Sequence, residues 1–153
     1  MNISIISRKE AQLLLDGNFP ENTAVISFYS PAGMKRSDYS PIDYGTVPAR
    51  LFYVCAPDID IEALADFGYT YDTYIADAGA LAEFILNAEK DGLDIICQCD
   101  YGQSRSAACA AAILEHFFRT GISIFADYRY YPNQLVFNRI LEALKSVSER
   151  ISD

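Results

Sequence analysis

Positive charge is scarce in this sequence: 12 Lys and Arg stand against 21 Asp and Glu, a formal net charge of −9 at pH 7. That balance argues against nucleic acid and anionic membrane surfaces as partners, since both select basic patches. It also offers no long-range attraction to polyanionic substrates, and no multi-lysine loop compensates for it. No apolar run approaches the ~20 residues of a membrane-spanning helix. The opening MNISIISRKE lacks the basic and apolar regions of a secretory leader. Histidine occurs once, as His116, well inside an apolar helical pattern, and reads as structural. With no ligand set apparent, neither a metal nor another cofactor is expected. The four cysteines are Cys55, Cys97, Cys99 and Cys109, and three of them crowd one stretch. This is not the spacing of a disulfide framework, so a reducing, cytosolic setting is expected. Repeats and low-complexity tracts are missing too. The 153 residues, 51% of them hydrophobic, suffice for one domain with a sizeable core.

What is present centres on Ile95-Ile96-Cys97-Gln98-Cys99-Asp100-Tyr101-Gly102-Gln103-Ser104-Arg105-Ser106, followed by small residues from Ala107 to Ala112. Leu93 to Cys97 reads as a short buried strand, then a turn through Gly102, then an Ala-rich helix starting near Ser104. A tight turn entering a helix aims successive backbone N–H groups at one point and forms a nest for an anion, which the helix dipole reinforces. Cys99 stands at the entrance of this nest and Arg105 at its exit. Helix N-termini and neighbouring cations favour the thiolate, the nucleophilic form of cysteine. A planar guanidinium can grip two oxygens of a tetrahedral anion, which an ammonium cannot. Nucleophile, amide cradle and fork together suit phosphoryl transfer.

Read in order, the chain alternates strands and helices. Asn2 to Ile6 is a short strand. Ser7 and Glu10 have the spacing of a capping box that opens a helix through Leu15, stopped at Gly17. Thr23 to Tyr29 is a buried strand rich in β-branched and aromatic residues. Residues 30–48, rich in proline, glycine and tyrosine, read as a long solvated loop carrying the basic pair Lys35-Arg36. Ala49 to Ala56 is the next strand. Ile75, Ala78, Leu81, Ala82, Ile85 and Leu86 predict an amphipathic helix over 74–88. The central stretch follows, with its helix running through Phe118 to a stop at Thr120-Gly121. Pro132 and Asn133 mark the entry to a last helix. The alternation predicts one three-layer α/β/α domain around a central, mostly parallel sheet.

The central stretch resembles the signature loop of the cysteine-based protein tyrosine phosphatases, C-x5-R-[ST], in the C-x-x-G-x-x-R-S form common among dual-specificity phosphatases. Cys99, Gly102, Arg105 and Ser106 match it, and the motif's place two-thirds along the chain suits that type rather than the low-molecular-weight type. The resemblance implies a tyrosine-phosphatase-like fold and hydrolysis of a phosphorylated protein or a small-molecule phosphate ester, without metal. It implies that Cys99 attacks phosphorus while Arg105 and the loop residues Asp100, Tyr101, Gly102, Gln103 and Ser104 bind the phosphoryl oxygens. Ser106 would stabilise the departing thiolate. The family's general acid lies on a loop after the preceding strand; Asp58 fits best, with Asp60, then Asp66 and Asp72, as alternatives. A cysteinyl-phosphate would form and be hydrolysed with the same aspartate as base. One departure stands out: Gln98 occupies the position before the nucleophile where the family usually has histidine. Its amide can orient the loop but cannot carry charge. Asp100, inside the loop, is expected to face out.

Overall fold

The computed structural model describes residues 1–34 and 40–152. The elements follow in the order β1 (Ile3–Ile6), α1 (Arg8–Asp16), β2 (Thr23–Tyr29), β3 (Arg50–Cys55), α2 (Ala78–Lys90), β4 (Asp94–Gln98), α3 (Arg105–Phe118), α4 (Ile122–Phe125) and α5 (Gln134–Ser152). The four strands form one sheet in the order β1-β4-β2-β3, and every pairing is parallel. β2 and β4, the inner strands, are buried almost throughout. That explains their near-continuous apolar sequences: an inner strand of a parallel sheet is covered on both faces.

Alternation along the strands divides the core in two. Ala24, Ile26, Phe28, Ile95 and Cys97 face α2, α3 and α5, whereas Val25 and Ile96 face α1 together with Ile42 and Tyr44. Helices therefore cover both faces, as the alternating sequence predicts. On the larger side α3 is enclosed over most of its length, every residue from Arg105 to Ile113 being buried. Alanine at positions 107, 108 and 110–112 lets this helix approach its neighbours on all sides.

Three expectations need correction. The helix predicted over 74–88 begins only at Ala78. Arg139 of α5 donates to the carbonyls of Asp72, Tyr74 and Ile75, and Ile75 has φ +55°, so this segment is a turn held from across the molecule. Its apolar residues Tyr74 and Ile75 are buried nonetheless, which is why the apolar pattern runs on past the start of the helix. The long loop is not simply solvated either: Ile42 and Tyr44 are buried in the α1-side core. The pair Lys35-Arg36 lies outside the described residues. The strand before Cys99 is displaced by one residue, ending at Gln98 rather than Cys97.

Candidate active site

Four parallel strands bring their C-terminal ends to one edge of the sheet, and each contributes to a single site there. β4 delivers Cys99, which is 2% exposed. The turn that follows is fastened from outside through its carbonyls. The Gln98 side-chain amide donates to the Cys99 carbonyl (3.0 Å), and the Arg8 N–H donates to that of Asp100 (3.0 Å). The N–H groups of Tyr131 and Asn133 donate to the carbonyls of Gln103 (2.8 Å) and Ser104 (3.2 Å). Peptide planes whose carbonyls are drawn outward turn their N–H groups toward the middle of the turn, the geometry of an anion nest. Gly102 has φ +69° and lies so close to the end of β1 that a Cβ would stand 2.7 Å from the Ser7 nitrogen. Only glycine fits.

Beyond the turn, Arg105 opens α3 and is 1% exposed. Its Nη1 donates to Ser30 Oγ (3.1 Å), just past β2, and to the Ala56 carbonyl (2.9 Å), just past β3. Ser106, fully buried, places its hydroxyl 3.0 Å from Cys99 Sγ. Asp58 reaches the site from the β3 end, where its Oδ1 accepts hydrogen bonds from Ser104 Oγ and Asn133 Nδ2, each at 2.8 Å. Tyr74 is buried beside it and donates to the Pro57 carbonyl (2.7 Å). Burial, and then the Asp58 carboxylate, push the Tyr74 hydroxyl above its ordinary pKa, so it remains a donor at neutral pH.

The alternatives to Asp58 have other settings. Asp60 caps the short 3-10 turn Ile61–Ala63 by accepting from the Ala63 N–H (3.2 Å), and Asp66 and Asp72 are exposed. Asp100 lines the outer side of the loop, on a groove of about 680 Å³ shared with Ser7, Arg8, Lys9, Gln12, Leu13 and Tyr101. Tyr101 and Gln103 are exposed. Cys109 lies fully buried next to Cys97, and burial pushes its thiol pKa up; this keeps it protonated and unreactive. His116 lies on α3 with Nε2 3.1 Å from Ser148 Oγ of α5, a helix–helix contact away from the loop. Among the described residues, no group of three His, Cys, Asp or Glu side chains could hold a metal ion.

Ser27, Ser30, Tyr44 and Tyr74 carry no signal in the sequence that ties them to this site, and Asn133 shows there only as a helix start. Asn after Pro at a helix entry was the one available signal. The partners it would find lay far away in the chain.

No protein-family model matches the chain, and comparison with curated proteins finds no match. Solved structures do match in fold. PTPMT1 in complex with PI(5)P superimposes with a TM-score of 0.55 at 15% identity, over 98% of this chain and 94% of that one. The human tyrosine phosphatase-like serine/threonine/tyrosine-interacting protein gives 0.52 at 16% identity, over 95% and 86%. Human DUSP28 gives 0.50 at 14% identity, over 97% and 94%. The chain therefore has the α/β fold of the dual-specificity-like cysteine phosphatases, along nearly its whole length.

Proposed function

We propose that the protein hydrolyses phosphate monoesters through a cysteinyl-phosphate, acting on phosphotyrosine or mixed phosphoprotein substrates. One observation carries this reading: Cys99, Arg105, Ser106 and Asp58 converge on one turn at the sheet edge, with Asp58 tied to that turn by Ser104. In the first step the Cys99 thiolate attacks phosphorus, and an S–P bond forms as the ester P–O bond breaks. Arg105 and the N–H groups of the turn hold the phosphoryl oxygens, while Asp58 gives its proton to the leaving oxygen. In the second step water gives a proton to Asp58 and attacks phosphorus. The S–P bond breaks, phosphate leaves, and the Ser106 hydroxyl donates to the departing thiolate. No metal or redox partner is required for either step.

The test is hydrolysis of an aryl phosphate by the wild type and by Cys99→Ser. A serine hydroxyl is far less ionised than a thiol in the same place, so turnover is expected to fall by orders of magnitude with the fold preserved. Retention of more than a small fraction of the rate would exclude the covalent route.

A second reading keeps the chemistry and replaces the protein substrate with a small-molecule phosphate ester. The groove beside the loop favours it, because Arg8 and Lys9 set two cations against the one carboxylate of Asp100 there, in an otherwise acidic chain. The PTPMT1 structure, solved with PI(5)P, has the same fold. Comparing kcat/KM for a phosphotyrosyl peptide with that for a soluble PI(5)P analogue separates the two.

A further inference from the structure

Resting on the phosphatase reading, we propose that Asn133 and Ser104 are positioning residues for the general acid: they fill one oxygen of Asp58 and so assign the transferable proton to the other. Asp58 Oδ1 accepts from Ser104 Oγ and from Asn133 Nδ2, both at 2.8 Å. A carboxyl oxygen has about two acceptor sites. Oδ1 is thus occupied, and the proton that travels to the leaving group is carried on Oδ2. When the ester P–O bond breaks, that proton passes from Oδ2 to the alkoxide or phenolate. When water attacks the cysteinyl-phosphate, Oδ2 receives a proton back.

Asn133 can do this because every polar atom of its side chain is committed. Its Nδ2 donates to the Ile59 carbonyl (2.9 Å) as well as to Asp58, and its Oδ1 accepts from the Val136 N–H (3.0 Å) at the start of α5. Turning the amide over would set its oxygen against a carboxylate and a carbonyl. The backbone N–H of Asn133 donates to the Ser104 carbonyl (3.2 Å). One residue thereby joins the acid's loop, the nucleophile's loop and the last helix. Tyr74 steadies the other side of Asp58 through the Pro57 carbonyl. Neither Asp60 nor the exposed Asp66 and Asp72 is held in this way.

Two variants test the role. Asn133→Ser keeps a side-chain oxygen suited to capping α5 but loses the donor to Asp58. Ser104→Ala removes the other donor and keeps the backbone of the turn, both its N–H and the carbonyl that accepts from Asn133. Each is assayed on a phenyl phosphate, whose leaving group needs a proton, and on a dinitrophenyl phosphate, whose leaving group does not. Positional control of the acid predicts a loss of about tenfold or more in kcat on the first ester and little on the second, within the ~10²–10⁴-fold worth of a general acid. In an Asp58→Asn background neither change should cost anything further on the phenyl ester. Equal losses on both esters, or losses that multiply with Asp58→Asn, would overturn the role and leave Asn133 as a helix cap. A wild type inert on both esters would instead remove the phosphatase reading itself, and a Cys99→Ser variant that retains activity would remove its covalent route.

Discussion

Gln98 stands where the family resemblance expects histidine, and its surroundings give the substitution a physical sense. The side chain is 1% exposed. Its Oε1 accepts from Ser27 Oγ (2.5 Å) and Tyr44 Oη (2.8 Å), which orients the amide so that Nε2 donates to the Cys99 carbonyl. The contact is with the Cys99 peptide. Gln98 therefore acts as scaffold, and burial, which raises the Tyr44 pKa, keeps that hydroxyl a donor. Gln98→Leu removes the acceptor shared by two buried hydroxyls and the donor to a carbonyl, and each polar group left unpaired costs about 1–3 kcal/mol. The urea midpoint should fall accordingly, and turnover should fall with it as the loop loosens. Tyr44→Phe removes a single hydrogen bond and should cost about 1 kcal/mol. A Gln98→Leu variant that keeps the wild-type midpoint would show that the network contributes nothing.

At the scale of elements, the β4–turn–α3 unit has two sites of close approach and sequence to match both. The alanines of α3 permit burial between sheet and helices, and Gly102 permits the turn to press on the end of β1. An added methyl at position 102 would meet backbone rather than a yielding side chain: Ser7 N at 2.7 Å and Ile6 C at 2.8 Å. It would also force a residue with a Cβ to hold φ +69°, a left-handed conformation that costs roughly 1–2 kcal/mol. Gly102→Ala is therefore expected to displace the turn from β1 and to lower kcat/KM on aryl phosphates by more than its modest drop in urea midpoint suggests. A normal kcat/KM in this variant would mean that the turn tolerates the shift and that its amide geometry is not what binds phosphate.

The whole molecule carries a net charge of −9, so its distant field repels the anionic esters that its local cradle is proposed to bind. The Debye length falls from about 30 Å at 0.01 M to about 8 Å at physiological salt. Screening should thus remove the repulsion while leaving short contacts at the loop in place. For a multiply charged phosphopeptide, kcat/KM is expected to rise as KCl goes from low to physiological concentration. A steady fall would show that the cations beside the loop, Arg8 and Lys9 among them, dominate encounter. Among the described residues no helix is long and apolar enough to cross a membrane.

What the sequence determined by itself was whatever depends on near neighbours. Ser7 and Glu10 close the capping box that their spacing announced. β2 spans the residues its composition marked, and α3 begins within one residue of the expected Ser104. Cys99, Gly102 and Arg105 belong to one strand–turn–helix, so their arrangement was legible as a motif. Tertiary structure alone decided what converges on that motif. Ser104 meets Asp58 across 46 positions, Asn133 meets Asp58 across 75, and Tyr44 meets Gln98 across 54. It also decided where α2 starts, because Ile75 takes φ +55° in a turn whose carbonyls a guanidinium on α5 holds. Local propensity cannot encode these meetings. They exist because a parallel sheet gathers the C-terminal ends of all its strands at one edge, and the chain between those ends can be of any length.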